Sequence, residues 1–378
     1  MSRMAENFRP TRMEVNLKNL CANFSSIRSY VKGCEIYAVV KADAYGHGAV
    51  ETARALIEGG CKQFAVAIPE EAVELREAGI TNPILVFGAS PYSSAEELVH
   101  LDAAAACTDV KFAVAMSKAA EKQGKTAKLH IKIDSGMGRI GFTVGEFKDA
   151  IEKILPLPSI DIEGIFTHFA AADESRPDWT NRQFSEYKKA LLIAKQKGLH
   201  VKMRHTCNSA GILGHPDKHL DMVRPGLILY GMTPSPATVC AYPITLLPTF
   251  EVKTGIALIR SLPPGTGISY GLRYMTRGKE RIAALPMGYA DGITRALSAK
   301  MSVLIHGQRC PVVGTICMDM MMVDVTGIEN AKTGDEAVII GKQGNEAICP
   351  EEMANLRNTI NYEIPIIFSK RVPRIYIK

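Results

Sequence analysis

No stretch of the 378-residue chain approaches the ~20 consecutive apolar residues that a membrane-spanning helix needs. There is no CxxC pair. The nine cysteines, at 21, 34, 61, 107, 207, 240, 310, 317 and 349, are odd in number and scattered, which excludes a secreted disulfide scaffold. Free thiols in a reducing compartment are expected instead. The first residues, MSRMAENFRPTRMEVNL, have no apolar core and include Glu6, so a signal peptide is not expected and a cytoplasmic setting is. There is no dense Lys/Arg run. The net charge of +6 (45 basic less 39 acidic) is dispersed and gives little support for nucleic-acid binding. A glycine period and acidic low complexity are missing too, which removes collagen-like and disordered classes. What remains, 47% hydrophobic and 22% charged, is close to the average composition of soluble globular domains. Its length allows one large domain and a smaller one.

From residue 35 to 245 short apolar runs alternate with helical patterns. The candidate strands are Glu35–Lys41, Gln63–Ile68, Ile84–Phe87, Ala103–Cys107, Ala127–Asp134, Ile160–His168, Val201–Thr206 and Met222–Arg224. Several are apolar throughout, as strands of a parallel sheet buried on both faces are. Between them, Thr180–Lys197 opens on a capping-box pattern, Thr180 with Gln183, and ends at Gly198; Asp109–Gln123 ends at Gly124. Eight strand–helix alternations predict an α/β fold, a (β/α)8 barrel, with a doubly wound open sheet as the competitor. After residue 245 short strands with turn signals take over: Glu251–Arg260, Arg281–Pro286, Met301–Ile305, Cys310–Val313, Met320–Val325 and Glu336–Ile340, with one helix at Pro350–Arg357. The expected division is a barrel over 1–245 and a mostly β domain over 246–378. Residues 12–17 suit either one.

Catalytic groups of a barrel sit at the C-terminal ends of its strands. Lys41 closes the first apolar strand, where it is either a snorkelling side chain or a desolvated, nucleophilic amine. Gly46-x-Gly48 follows without the GK[ST] of a P-loop. His205 and Cys207 are two apart, but HExxH is missing and no further ligands come at a recognised spacing, so no metal is expected. A Ser-His-Asp hydrolase is set aside with it. Asn208-Ser209 and Gly226-Leu227 follow the seventh and eighth strands, where barrels usually bind phosphate. A lysine facing a phosphate site is what pyridoxal phosphate requires.

These residues carry a family resemblance. Ala38-Val-Val-Lys41-Ala-Asp-Ala-Tyr45-Gly-His47-Gly48 resembles the cofactor signature of bacterial alanine racemases. Lys132-Ile-Asp-Ser-Gly-Met-Gly-Arg139, Thr167-His168-Phe169, Asn208-Ser209-Ala210 and Arg224-Pro-Gly226 follow in the family's order. So do Ile268-Ser-Tyr270-Gly271, Gly288-Tyr289-Ala-Asp291-Gly292, Ile316-Cys-Met318-Asp319 and Ile360-Asn-Tyr362-Glu. The match runs through essentially the whole chain.

The resemblance implies an isomerase that interconverts L- and D-alanine through a Schiff base with pyridoxal 5'-phosphate and supplies D-alanine for peptidoglycan. Lys41 and Tyr270 would be the two opposed bases, Tyr270 coming from the partner in a homodimer with composite sites. Lys41 would also hold the cofactor. Tyr45, Ser209, Gly226, Leu227 and Tyr362 would bind its phosphate, His168 would lie against its ring and Arg224 would face its ring nitrogen, with Asn208 a further cofactor-binding residue. Arg139 and Met318 would take the substrate carboxylate, with Lys132 beside Arg139 as a carbamate or as a lysine paired with an acid. Tyr289 and Tyr362 would narrow the entrance. His168 and Arg224 would be the cations favouring a tyrosinate. Cys317 reads as a packed thiol, His47 as structural, and Asp291 and Asp319 as loop caps or substrate or interface groups. A barrel-only cofactor carrier does not account for residues 245–378, and a decarboxylase of related fold does not account for Arg224. Tyr362 favours alanine over serine.

Overall fold

In the computed structural model of the chain, residues 8–174, 177–234 and 244–378 are described. The chain forms two compact units. One is Asn19–Pro248; the other joins the segment up to Lys18 to Thr249–Lys378. Among the described residues no helix is long and apolar enough to cross a membrane. The eight described cysteines are free, and Cys240 lies outside the described residues.

Strand β1 (Arg12–Asn16) belongs to the second unit. The first unit is a closed parallel barrel of β2 (Glu35–Val39), β3 (Gln63–Val66), β4 (Ile84–Val86), β5 (Ala104–Cys107), β6 (Ala127–Lys132), β7 (Ile160–Phe166), β8 (Met203–His205) and β9 (Met222–Val223). Closure is explicit in the register: Glu35 and Ile36 pair with Met222 and Val223. Strands β4 and β5 are buried at every residue, the signature of a sheet covered on both faces. The helix Val110–Gln123 shows how the sequence sets its own limits. The Asp109 side chain accepts the Phe112 N–H at 2.9 Å, and Gly124 ends the helix at φ 61°. Phe112, Met116 and Ala119 form the stripe that is buried.

The next long helix departs from the expectation. It runs Pro177–Gln196, three residues ahead of Thr180. Thr180 and Gln183 are interior positions, not a cap. Gln183 accepts the Ala170 N–H (2.8 Å) and donates to the His168 carbonyl (3.2 Å), tying down the loop after β7. The two polar residues were spaced as a cap but face a loop.

The second unit is a sheet of short strands: β10 (Phe250–Gly255), β11 (Leu258–Leu262), β14 (Glu280–Leu285), β15 (Ser302–Ile305), β16 (Gln308–Val313), β17 (Met321–Asp324), β18 (Glu336–Gln343) and β20 (Arg374–Ile377), ordered β11-β14-β17-β16-β15-β18-β10-β1-β20. The strand β19 (Glu346–Ile348) pairs with β18, and β12 (Gly267–Ile268) pairs with β13 (Tyr274–Met275). The expected strand Glu251–Arg260 is two strands, because Ile256 leaves the ladder to bond Asp335. Residues 12–16 pair antiparallel with β10 and parallel with β20, so they join this unit. Their alternation buries Met13 and Val15 completely. The helix expected at Pro350–Arg357 is present.

Candidate active site

Lys41 follows β2, and the four residues after it, Ala42 to Tyr45, are all left-handed, with φ of 52° to 54°. Such a conformation costs L-residues about 1–2 kcal/mol each, so the turn stores roughly 4–8 kcal/mol that its surroundings must offset. Glu71 does much of this. One carboxylate oxygen accepts the Ala42 N–H at 2.6 Å, while the other accepts the Ala67 N–H at 2.7 Å. Asp43 accepts the Ala49 N–H at 2.7 Å, and the buried His47 ring bonds the Tyr45 carbonyl at 3.0 Å, a structural role. The reversed turn leaves the Lys41 ammonium half-buried, 5.6 Å from the Phe87 ring centre and 6.0 Å from that of Tyr45. Burial first, then Arg139, lowers its pKa.

Tyr45 in turn abuts a second cluster. A Cβ placed on Gly226 would stand 2.5 Å from Tyr45 Oη, so only glycine allows that approach. The Gly226 N–H donates to Ser209 Oγ at 3.0 Å and the Ile228 N–H reaches it at 3.5 Å. Leu227 is buried at the start of the turn Leu227–Tyr230. Hydroxyls and backbone N–H groups converging without a carboxylate suit a phosphate ester. Asn208 caps the helical turn after β8, accepting the Gly211 N–H, and its amide donates to His168 Nε2 at 3.1 Å. A His168 nitrogen that accepts carries no proton. Burial, with Arg224 next, holds the ring's pKa well below normal. His168, expected as a cationic neighbour, is therefore neutral.

Arg224 is buried, and burial lowers its pKa to about 10. Its two terminal nitrogens are committed: one to His205 Nδ1 at 2.6 Å, the other to the carbonyls of Thr167 (2.8 Å) and Thr206 (3.1 Å). Nε has no hydrogen-bond partner among the described residues. Lys132 is 2% exposed; burial first, then Arg224, brings its pKa to about 7. It donates to the Ile133 carbonyl at 2.8 Å and makes no ion pair among the described residues. The acid expected as its partner, Asp134, is used otherwise. It accepts the backbone N–H groups of Gly136, Met137, Gly138 and Arg139, which shapes the loop presenting the exposed Arg139. These four cations, Lys41, Lys132, Arg139 and Arg224, have no carboxylate partner at ion-pair distance among the described residues.

The remaining expected residues lie in the β unit. Tyr270 is 71% exposed and lines, with Ser269, Cys317, Met318, Asp319 and Met320, an open pocket of about 650 Å³. Gly288 is packed on the Cys317 and Met318 carbonyls, where a side chain has no room, and this brings Tyr289 beside Met318. Tyr362 lies in the short turn Asn361–Glu363. Asp291 is a loop cap: fully buried, it accepts the Gly288 N–H and pairs with Arg9 and Arg371. Asp319 pairs with Arg371. Gly267-Ile-Ser269-Tyr-Gly271 has the spelling of a hydrolase nucleophile elbow, a match the sequence reading passed over. Its serine donates to the Thr315 carbonyl at 2.5 Å and is followed only by the three-residue 3-10 turn Tyr270–Leu272, not by the α-helix of an elbow, so the spelling carries no triad.

His205, weighed above as a metal ligand, instead accepts from Arg224, and Cys207 donates to the Lys218 carbonyl. Among the described residues no three His, Cys, Asp or Glu side chains gather as a metal site. Glu71 and His130 were missed; their spacing relative to Lys41 and Arg224 carries no signal until the barrel closes.

Known proteins match both units. The N-terminal domain model of alanine racemase matches residues 15–234 and the C-terminal domain model matches 249–376. The alanine racemase of Methanococcus maripaludis is 45% identical, covering 97% of this chain and 99% of its own. That of Carboxydothermus hydrogenoformans is 44% identical over 98% and 100%. Among solved structures, alanine racemase from Bacillus anthracis with bound L-Ala-P superposes with a TM-score of 0.94 at 37% identity, over 99% of this chain and 96% of that one. The Clostridium difficile enzyme in complex with cycloserine gives 0.90 at 39% over 97% and 96%. The chain thus belongs to the alanine racemase family, enzymes that interconvert L- and D-alanine.

Proposed function

We propose that the chain racemises alanine with pyridoxal 5'-phosphate held at the barrel mouth, and that Lys41 and Tyr270 are its two bases. The observation that carries this is the run of contacts from the half-buried Lys41 amine past the Tyr45 ring to Gly226 and Ser209. It supplies an amine with a lowered pKa and a set of neutral anion donors on one barrel. When bound, the cofactor supplies an aldehyde that condenses with amines and a ring that withdraws electrons from the α-carbon. Ser209, Tyr45, Gly226, Leu227 and Tyr362 would bind the phosphate, His168, oriented by Asn208, would lie against the ring, and Arg224 Nε would be available to the ring nitrogen. An arginine there keeps that nitrogen unprotonated, because a guanidinium donates and never accepts. Arg139 and the Met318 backbone take the substrate carboxylate.

Racemisation removes a proton from one face of the α-carbon and returns one to the other, so two opposed groups are needed. Lys41 serves one face. Tyr270 serves the other and comes from a second copy of the chain. Its exposure, together with that of Leu272, Met275, Met318 and Met320, supports a covered apolar face, since soluble monomers rarely present such a patch. The free amine of Lys132, which pairs with no acid among the described residues, adds to carbon dioxide and releases a proton to solvent, and the resulting carbamate fixes Arg139. Tyr289 and Tyr362 narrow the entrance. The D-alanine serves peptidoglycan synthesis, and the enzyme works in the cytoplasm.

The test is D-isomer formation from L-alanine, L-serine and L-lysine, read by chiral chromatography. L-alanine should be converted best; Lys41→Ala and Tyr270→Phe should each abolish turnover. Mixing the two variants should recover part of it, because a mixed dimer holds one intact site. No D-alanine from the wild type with added cofactor refutes the reading, and no recovery on mixing refutes the shared site.

A further inference from the structure

The barrel interior holds polar groups that the reaction as described does not use. His130, on β6, is completely buried, and its Nδ1 lies 2.9 Å from His205 Nε2. Its own Nε2 has no hydrogen-bond partner and sits 3.7 Å from a Glu163 carboxylate oxygen. The backbone makes this possible. The β6–β7 register jumps between Leu129↔Ile162 and His130↔Gly164, which leaves Glu163 as the extra residue of a bulge. Gly164 is the second requirement, since a Cβ there would collide with the His130 ring.

Proton bookkeeping fixes this chain in one direction. Arg224 only donates, so His205 Nδ1 is bare and its proton is on Nε2. That proton goes to His130 Nδ1, so His130 carries its proton on Nε2, turned toward Glu163. Both rings are neutral, and burial favours this for each. A buried cation and a carboxylate are therefore joined by two aligned ring dipoles, the arrangement by which outer partners orient an inner ligand.

We propose that Glu163 is a positioning residue for Arg224: acting through His130 and His205, it holds the guanidinium turned so that Nε is left for the cofactor's ring nitrogen. This rests on the reading of Arg224 above. The group is reached from the bulge in mid-strand, and it is partly open to solvent, with 19% of its side chain exposed. The carboxylate can therefore be neutralised without leaving a cavity in the core.

The experiment uses 15N-labelled full-length protein, with and without pyridoxal 5'-phosphate, and long-range 1H–15N spectra of the imidazole rings together with the Arg224 Nε–H signal. In the wild type, His130 and His205 should each show a protonated Nε2 and a bare Nδ1. In Glu163→Gln Arg224 still sets both tautomers, but the negative charge facing the His130 Nε2–H is gone, so the His130 ring signals and the Arg224 Nε–H signal should both move. Turnover of L-alanine should fall through kcat on the order of tenfold, the low end for losing an outer partner at metal sites, with KM kept within about twofold. Glu163→Asp should retain the wild-type signature. A His205 ring protonated on Nδ1, or a Glu163→Gln protein with wild-type ring and Arg224 signals, overturns the proposal. If the tautomers are as expected but added cofactor leaves the Arg224 signal unmoved, the chain stands and the Arg224 reading fails.

Discussion

Exchanging Lys132 for methionine isolates the cost of burying its charge. The side chain is 2% exposed and its pKa falls from 10.5 to about 7. That drop corresponds to about 5 kcal/mol. The direction follows from the proton count. Between pH 7 and 10.5 the unfolded chain binds a proton that the native lysine does not, so stability rises with pH through that window. Below pH 7 both states are protonated and the penalty is complete; above 10.5 it is gone. Lys132→Met, similar in length and uncharged, should be more stable than the wild type by about 4 kcal/mol at pH 7 in carbon dioxide-free buffer, and the gap should close as pH approaches 10. Denaturant midpoints at half-unit pH steps measure this, and titrations common to both proteins cancel in the difference. Bicarbonate should narrow the gap at pH 8 for the wild type alone, because the free amine becomes a carbamate facing cations. A 13C-bicarbonate spectrum should show that carbamate in the wild type and not in Lys132→Met. Parallel pH profiles for the two proteins would refute the reasoning, since they would mean that Lys132 titrates like a solvated lysine.

Other consequences can be tested more briefly. Gly226→Ala forces a methyl against Tyr45 Oη and should weaken pyridoxal 5'-phosphate binding by about 10- to 100-fold, matching an overpacking cost of about 1–3 kcal/mol; a fluorescence titration measures it. Glu71→Ala removes the acceptor of the Ala42 N–H and should raise the cofactor dissociation constant roughly tenfold, consistent with about 1.5 kcal/mol for a charge-assisted bond. Adding Ala44→Gly should restore part of this, because glycine takes the left-handed turn without penalty. Asp291→Ala removes the buried acceptor of the Gly288 N–H and a partner of Arg9, and should lower stability by about 1–3 kcal/mol, read as an earlier denaturant midpoint.

The barrel could be read in advance because its strands are short, apolar and regularly interrupted. Each of the eight runs expected between Glu35 and Arg224 contains an observed strand. Motif residues at strand ends were equally visible: Lys41, Ser209 and Arg224 stand where the barrel rule puts functional groups. What stayed hidden depends on closure. Glu163 reads as one more polar residue in an apolar strand until a shifted register turns it toward His130. The left-handed turn after Lys41 is hidden too, since Ala42-Asp43-Ala44 is a right-handed sequence by propensity and only its surroundings reverse it. Thr180 and Gln183 show the opposite error: a local pattern with a good mechanism lost to a tertiary use of the same side chains.

The β unit has a temporal consequence. Its strand β1 lies between β10, the first strand after the barrel, and β20, the last strand of the sheet, so the first strand of the chain waits for both. During translation the whole barrel, Asn19–Pro248, emerges while β1 has no neighbour to pair with. The barrel can therefore fold on the ribosome, while the sheet bearing Tyr270 is completed only after Arg374–Ile377 has been released. Premature termination ahead of β20 therefore leaves β1 paired with β10 alone, its other edge open. Such a product is a candidate for aggregation and proteolysis rather than a slower enzyme.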